Sequence, residues 1–239
     1  MSKRLFWDRL RSWLLGSKYL LVTMSLVTFL LILPYTFTQY THYGRLLLGF
    51  WLGLILLIIS FSVYRIKIGG KIALLLICIN LLTIALFAAL GTYIVELINR
   101  ILSSITLSFV TMIIFVDLAA NKVKATVTSD YIWGGIATYL LIGLTWGSFY
   151  HLLELISPGS FELTISTRLI PMEFPVFVYF SYYVLTTVGG VLSPVTLQAQ
   201  SLVMIEPIVG TLYAAILIAR LVNVVSSKKR AKGSKDSAV

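Results

Sequence analysis

The chain has 239 residues, 59% hydrophobic and 12% charged, with a mean hydropathy of +0.96, so its apolar surface exceeds what one soluble core can bury. The net charge of +10 comes from basic residues at the ends of apolar runs rather than from a basic face interleaved with aromatics, which argues against nucleic acid as a partner. A single cysteine, Cys78, and two histidines, His42 and His151, leave no intrachain disulfide and no zinc-type ligand cluster.

Residues 1–18 interleave Leu5, Phe6, Trp7, Leu10, Trp13 and Leu14 with basic side chains. This is the pattern of an amphipathic helix lying on a membrane surface, and it lacks the short apolar core and small-residue cleavage site of a signal peptide. Crossing a bilayer core about 30 Å thick takes about 20 apolar helical residues, because unpaired backbone groups are costly in lipid. Six runs reach that length, at 19–40, 46–64, 72–95, 101–120, 131–156 and 198–225. The fourth carries no arginine, whereas a voltage sensor needs several charges within the field, so voltage gating through it is excluded. The first four runs show no chemistry and read as a peripheral scaffold or a site for lipid or a partner.

Orientation follows from Lys and Arg in the short connections, which are retained on the cytoplasmic side. With six spans, alternate connections hold sixteen basic residues on one side and three, Arg45, Arg100 and Arg168, on the other. Both termini are therefore expected inside a cell membrane, with the protein multi-pass.

Between the fifth and sixth runs lies a shorter apolar piece, 175–187, too short to span and expected to re-enter from outside. Pro175 suits the first turn of a helix, and Glu173 precedes it where the helix dipole favours an anion. The helix would end mid-membrane at Thr186, Thr187, Val188, Gly189 and Gly190, where hydroxyls and backbone carbonyls can face a pathway. Such inward carbonyls are ligands for a dehydrated cation.

At these residues the chain resembles the potassium-channel pore, and more narrowly a group of small prokaryotic six-helix channel-like proteins. The resemblance covers about 129–225 and rests on YLLIGLTW (139–146), PGSF (158–161), YFSYYVLTTVGG (179–190), SPVT (193–196) and IARLV (218–222). In that family a T-V-G-Y-G-D strand from each of four subunits lines the selectivity filter. Thr187, Val188 and Gly189 match its T-V-G, but the interval to Ser193 is one residue short and Tyr-Gly-Asp is missing. The resemblance therefore implies a homotetramer with about two cation sites, formed by Thr186, Thr187 and Val188, and an outer mouth shaped by Gly189 and Gly190. Fewer coordinating rings imply weak discrimination between potassium and sodium. The alternatives are a potassium-selective channel in which Gly190 and Val191 rebuild the missing rings, and a non-conducting relative acting as a membrane sensor or scaffold.

Several other residues carry paired readings. The aromatics Phe177, Tyr179, Phe180, Tyr182 and Tyr183 form a cuff around the filter, as the family implies, or pack the pore helix against Trp146. Gly210 is a gating hinge, as the matching glycine is in the family, or a point of close helix contact. Glu206, before Pro207, is a cavity acid that attracts cations or a group behind the filter making a structural hydrogen bond. Asp117 is expected to pair with Lys122 or Lys124 at the membrane surface. His151 and Glu154, near the outer end of the fifth run, are expected to be solvated, with a pH sensor as the alternative.

The expected architecture is an all-α membrane protein of six transmembrane helices with a re-entrant pore helix. It divides into an interfacial helix (1–18), a four-helix peripheral region (19–125), a pore domain (126–225) and a basic cytoplasmic tail (226–239). Membrane lipids are expected partners, anionic ones at the basic termini, where each basic residue contributes about 1 kcal/mol. No cofactor or resident metal is expected, only potassium or sodium as permeant ions. An enzyme is set aside for want of a catalytic constellation or nucleotide loop, and a secondary transporter for want of repeated halves.

Overall fold

The computed structural model describes residues 19–36, 42–64, 67–120, 129–163 and 172–236. The 1–18 segment, Lys122, Lys124 and Arg168 lie outside these, and so do the readings attached to them. The described chain is helical apart from one small sheet: α1 (Leu20–Thr36), α2 (His42–Val63), α3 (Lys67–Leu90), α4 (Tyr93–Ala120), α5 (Ser129–Ile156), β1 (Phe161–Leu163), α6 (Phe174–Leu185), β2 (Leu192–Pro194) and α7 (Leu197–Asp236). Among the described residues, α3, α4, α5 and α7 are long and apolar enough to cross a membrane. The apolar parts of α1 and α2, Leu20–Leu33 and Gly49–Ser62, and α6 as a whole are shorter.

Helix α5 is the centre of the packing, touching α1, α4, α6 and α7. It is also the most buried of the four long helices, with 56% of its apolar window inside the chain against 17% for α7. The main core joins α1, α2, α3, α4 and α5, and Phe174 and Val178 of α6 reach into it. Polar side chains tie apolar helices together where no water competes: Thr23 donates to the Trp133 carbonyl at 2.9 Å, the Ser104 and Ser148 hydroxyls meet at 2.8 Å, and Thr83 donates to Asn99 at 3.1 Å. Asp117 accepts from the Tyr19 hydroxyl at 2.6 Å, joining α4 to the residue that precedes α1.

The boundary between the third and fourth helices differs from the sequence expectation. The break falls at Gly91, whose φ of 60° ends α3 and whose N–H closes on the Phe87 carbonyl at 2.9 Å. Helix α4 therefore begins at Tyr93 and takes in Arg100, counted from sequence as an outer-loop charge but only 4% exposed. At the other end of the chain, helical backbone continues through Asp236, across the basic segment set apart as a tail.

Candidate functional site

The 12 residues of α6 pack against α5 and α7, and most of its side chains are buried. Pro175 lies in its first turn, where a missing N–H costs nothing. Two glycines one turn apart on α5 admit it closely. A Cβ on Gly147 would stand 2.7 Å from the Val178 Cα, and one on Gly143 would stand 2.6 Å from the Tyr182 ring. Across this contact Ser181 donates to the Gly143 carbonyl at 2.7 Å and Tyr182 to the Leu140 carbonyl at 2.5 Å. The small-x-x-x-small spacing of Gly143 and Gly147 is the sequence signal for such a contact.

Helix α6 ends in a Schellman cap. The Thr187 N–H donates to the Val184 carbonyl at 2.9 Å and the Val188 N–H to the Tyr183 carbonyl at 3.0 Å, while Thr186 N–H closes on Tyr182 at 3.1 Å. The left-handed position of the motif, usually glycine, is held by Thr187 at φ 61°. This β-branched outlier was not anticipated from sequence, because threonine gives no signal for that conformation. The three N–H groups are thus satisfied within the cap, and the Thr186 hydroxyl also turns back, donating to the Tyr182 carbonyl at 2.6 Å.

From Thr186 to Gly190 every residue is exposed on the single chain, Val188 by 72%. Gly189 has a φ of 93° with open space around its Cβ position, so its glycine is required by conformation. Gly190 is glycine for a different reason: a Cβ there would lie 2.4 Å from the Phe180 ring.

Beyond the loop, β2 pairs antiparallel with β1 in the register Phe161↔Pro194, Glu162↔Ser193 and Leu163↔Leu192. This joins the PGSF and SPVT segments, which lie more than thirty residues apart in sequence. The Glu154 carboxylate fastens the turn before β1, accepting from the N–H of Gly159 at 2.8 Å and of Phe161 at 3.1 Å. Glu154 is therefore bonded to backbone, and His151, expected to be solvated, is 3% exposed and stacked on the Phe177 ring at 5.3 Å. The reason is the arrival of α6 beside the end of α5, which covers that face.

Behind the loop, Glu206 of α7 is fully buried and bonded to the Tyr150 hydroxyl of α5 and to Ser181 of α6, the latter at 2.5 Å. Ser181 has one proton to give and lies between two acceptors, Glu206 and the Gly143 carbonyl. Gly210, one turn further along α7, sits against Leu185, whose Cδ1 would be 2.5 Å from an added Cβ. Phe177 and Phe180 are buried with Tyr150 and Phe161 in one aromatic cluster. Tyr179 and Tyr183 instead form an outward-facing pair, rings 4.6 Å apart and hydroxyls at 2.5 Å.

Among the described residues no group of three or more acidic, histidine or cysteine side chains is arranged to hold a metal ion. Comparison of the chain with protein-family models, with curated proteins and with solved structures finds no match. The reading of this site therefore rests on its own residues and geometry.

Proposed function

We propose that the protein is a tetrameric pore-loop channel of the cell membrane that passes monovalent cations, discriminates poorly between potassium and sodium, and is not voltage-gated. In this reading six helices cross the bilayer with both termini cytoplasmic, α6 re-enters from outside, and residues 186–190 of four copies line the narrow path. The observation that carries it is the form of the loop. A short buried helix ends in a cap that consumes the N–H groups of Thr186, Thr187 and Val188, and residues 186–190 are left exposed on the single chain. One chain supplies only one wall of such a path, which is why four are invoked. The Thr187 and Val188 carbonyls and the threonine hydroxyls would replace part of a cation's hydration shell. With the outer Tyr-Gly-Asp missing, few rings would discriminate between ions.

Cation flux into liposomes containing the purified protein tests this. Potassium and sodium gradients should give comparable flux, and Gly189→Ala should abolish it while leaving the oligomer intact, because a Cβ opposes the φ of 93° at that position. A potassium preference above about a hundredfold, equivalent to about 2.7 kcal/mol, would overturn the weak selectivity. Absence of flux under widely varied lipid and voltage conditions would overturn conduction itself.

A further inference from the structure

A second polar feature lies away from the loop, at the opposite end of α6. A cavity of about 210 Å3 opens where the start of α2, the end of α3, the start of α4, the end of α5 and the start of α6 meet. Because successive helices run in opposite directions, these five ends share one level of the bundle. Tyr93 marks the same level, its ring exposed and its hydroxyl donating to the Leu155 carbonyl at 2.6 Å, as aromatic residues do at a membrane interface.

The cavity is lined by both signs of charge. Arg100 and His151 line it, and each is more than nine-tenths buried with one nitrogen, Arg100 Nε and His151 Nδ1, that has no hydrogen-bond partner. The Arg100 guanidinium stands 3.9 Å above the ring of Phe174, the first residue of α6. A cation at the positive end of a helix is the inverse of the favourable arrangement, and an anion between them would relieve both. Glu173 precedes that helix without making a side-chain cap bond, so its carboxylate does not fill this role. It lines the cavity together with Glu96, whose Oε1 is 3.8 Å from His151 Nε2. Arg100 Nε can only donate, and His151 Nδ1 donates in the tautomer that carries the proton there; buried donors without partners are rare and costly, and they call for a ligand with acceptor oxygens. The two acids disfavour a ligand of net negative charge and suit a cationic group beside the anionic one.

We propose that this cavity holds a phosphate group joined to an ammonium, namely the head group of a zwitterionic, ethanolamine-type phospholipid. The phosphate faces Arg100 and His151 and the ammonium faces Glu96 and Glu173. The cavity wall also carries Leu52 of α2 and Ile84 and Phe87 of α3, an apolar side against which the first acyl carbons can lie. The same chemistry is present in free phosphoethanolamine, and the lipid is favoured because the cavity lies at interfacial depth in an apolar bundle. The site is independent of whether the pore conducts.

Native mass spectrometry of the purified full-length protein in detergent reads this directly. The protein is titrated in parallel with phosphatidylethanolamine, phosphatidylglycerol and free phosphoethanolamine. Wild type should retain phosphatidylethanolamine at least tenfold better than phosphatidylglycerol, and Arg100→Gln should lose that retention. Glu173→Gln, at an exposed position outside any helix, should fold normally and shift the preference towards phosphatidylglycerol. Equal retention of both lipids by wild type, or unchanged preference in Glu173→Gln, would overturn the proposal. Displacement of the lipid by phosphoethanolamine at comparable concentration would overturn the lipid as occupant in favour of a soluble solute.

Discussion

At Thr187 the backbone stands at φ 61°, where a β-branched side chain costs about 1–2 kcal/mol relative to glycine. The same residue offers the hydroxyl and carbonyl that a cation would meet, so conformation and chemistry ask for different side chains. Thr187→Gly is expected to leave the thermal midpoint unchanged or raised while lowering cation flux; a fall in midpoint would mean that contacts of the threonine outweigh its strain. Glu206 is expected to behave in the opposite way. Glu206→Ala leaves the buried Tyr150 hydroxyl without its partner, at about 1–3 kcal/mol, while Ser181 keeps the Gly143 carbonyl, and should lower the melting midpoint in detergent by a few degrees. Glu206→Gln keeps an acceptor for Tyr150, and its amide can donate to Ser181 while Ser181 donates to Gly143, so it should melt near wild type.

Among the elements, the contact between α5 and α6 has the least room to adjust. Gly147→Ala would place a methyl 2.7 Å from the Val178 Cα, which is backbone and cannot rotate aside. A cost of about 1–3 kcal/mol is expected, together with displacement of the loop that follows α6, read as a lowered midpoint and reduced flux. Gly210→Ala meets the end of the Leu185 side chain, and a milder effect is expected from the same measurements. Apolar length made the long helices legible in sequence, because lipid demands it whatever the packing. The break at Gly91 is hidden in sequence because the apolar run continues beyond it through Tyr93, Ile94 and Val95, and only a φ of 60° distinguishes that glycine from those inside helices. Burial of Arg100 and His151 was illegible for a related reason: it depends on α6 folding back against α4 and α5, a tertiary event that local hydropathy does not encode.

For the whole molecule, the distribution of exposed apolar surface bears on assembly. Helix α7 leaves Met204, Ile208, Leu212 and Ile216 uncovered at steps of four residues, and Val188 projects from the loop beside it. In the proposed tetramer these surfaces lie towards the central axis and the neighbouring chains. Val188→Cys in a Cys78→Ser background should therefore form disulfide-linked dimers on mild oxidation, and the native mass should correspond to four chains. A monomeric mass without cross-linking would remove the basis for a shared path. The loop's candidate residues were legible because Thr-Val-Gly is a local string, whereas the cap at Thr187 and the Gly190–Phe180 contact arise only when α6 and the loop are folded together.

The pairing of β1 with β2 has a mechanical consequence. The strands on either side of α6 and the exposed loop are clasped to each other by three residue pairs. A pull on the first turn of α7 is delivered through β2 to β1, and from there through the Glu154 carboxylate to the end of α5. That route runs around Gly189 and Gly190 rather than through them. Tilting of α7 would thus strain the clasp first, and the exposed loop would keep its shape until the clasp opened.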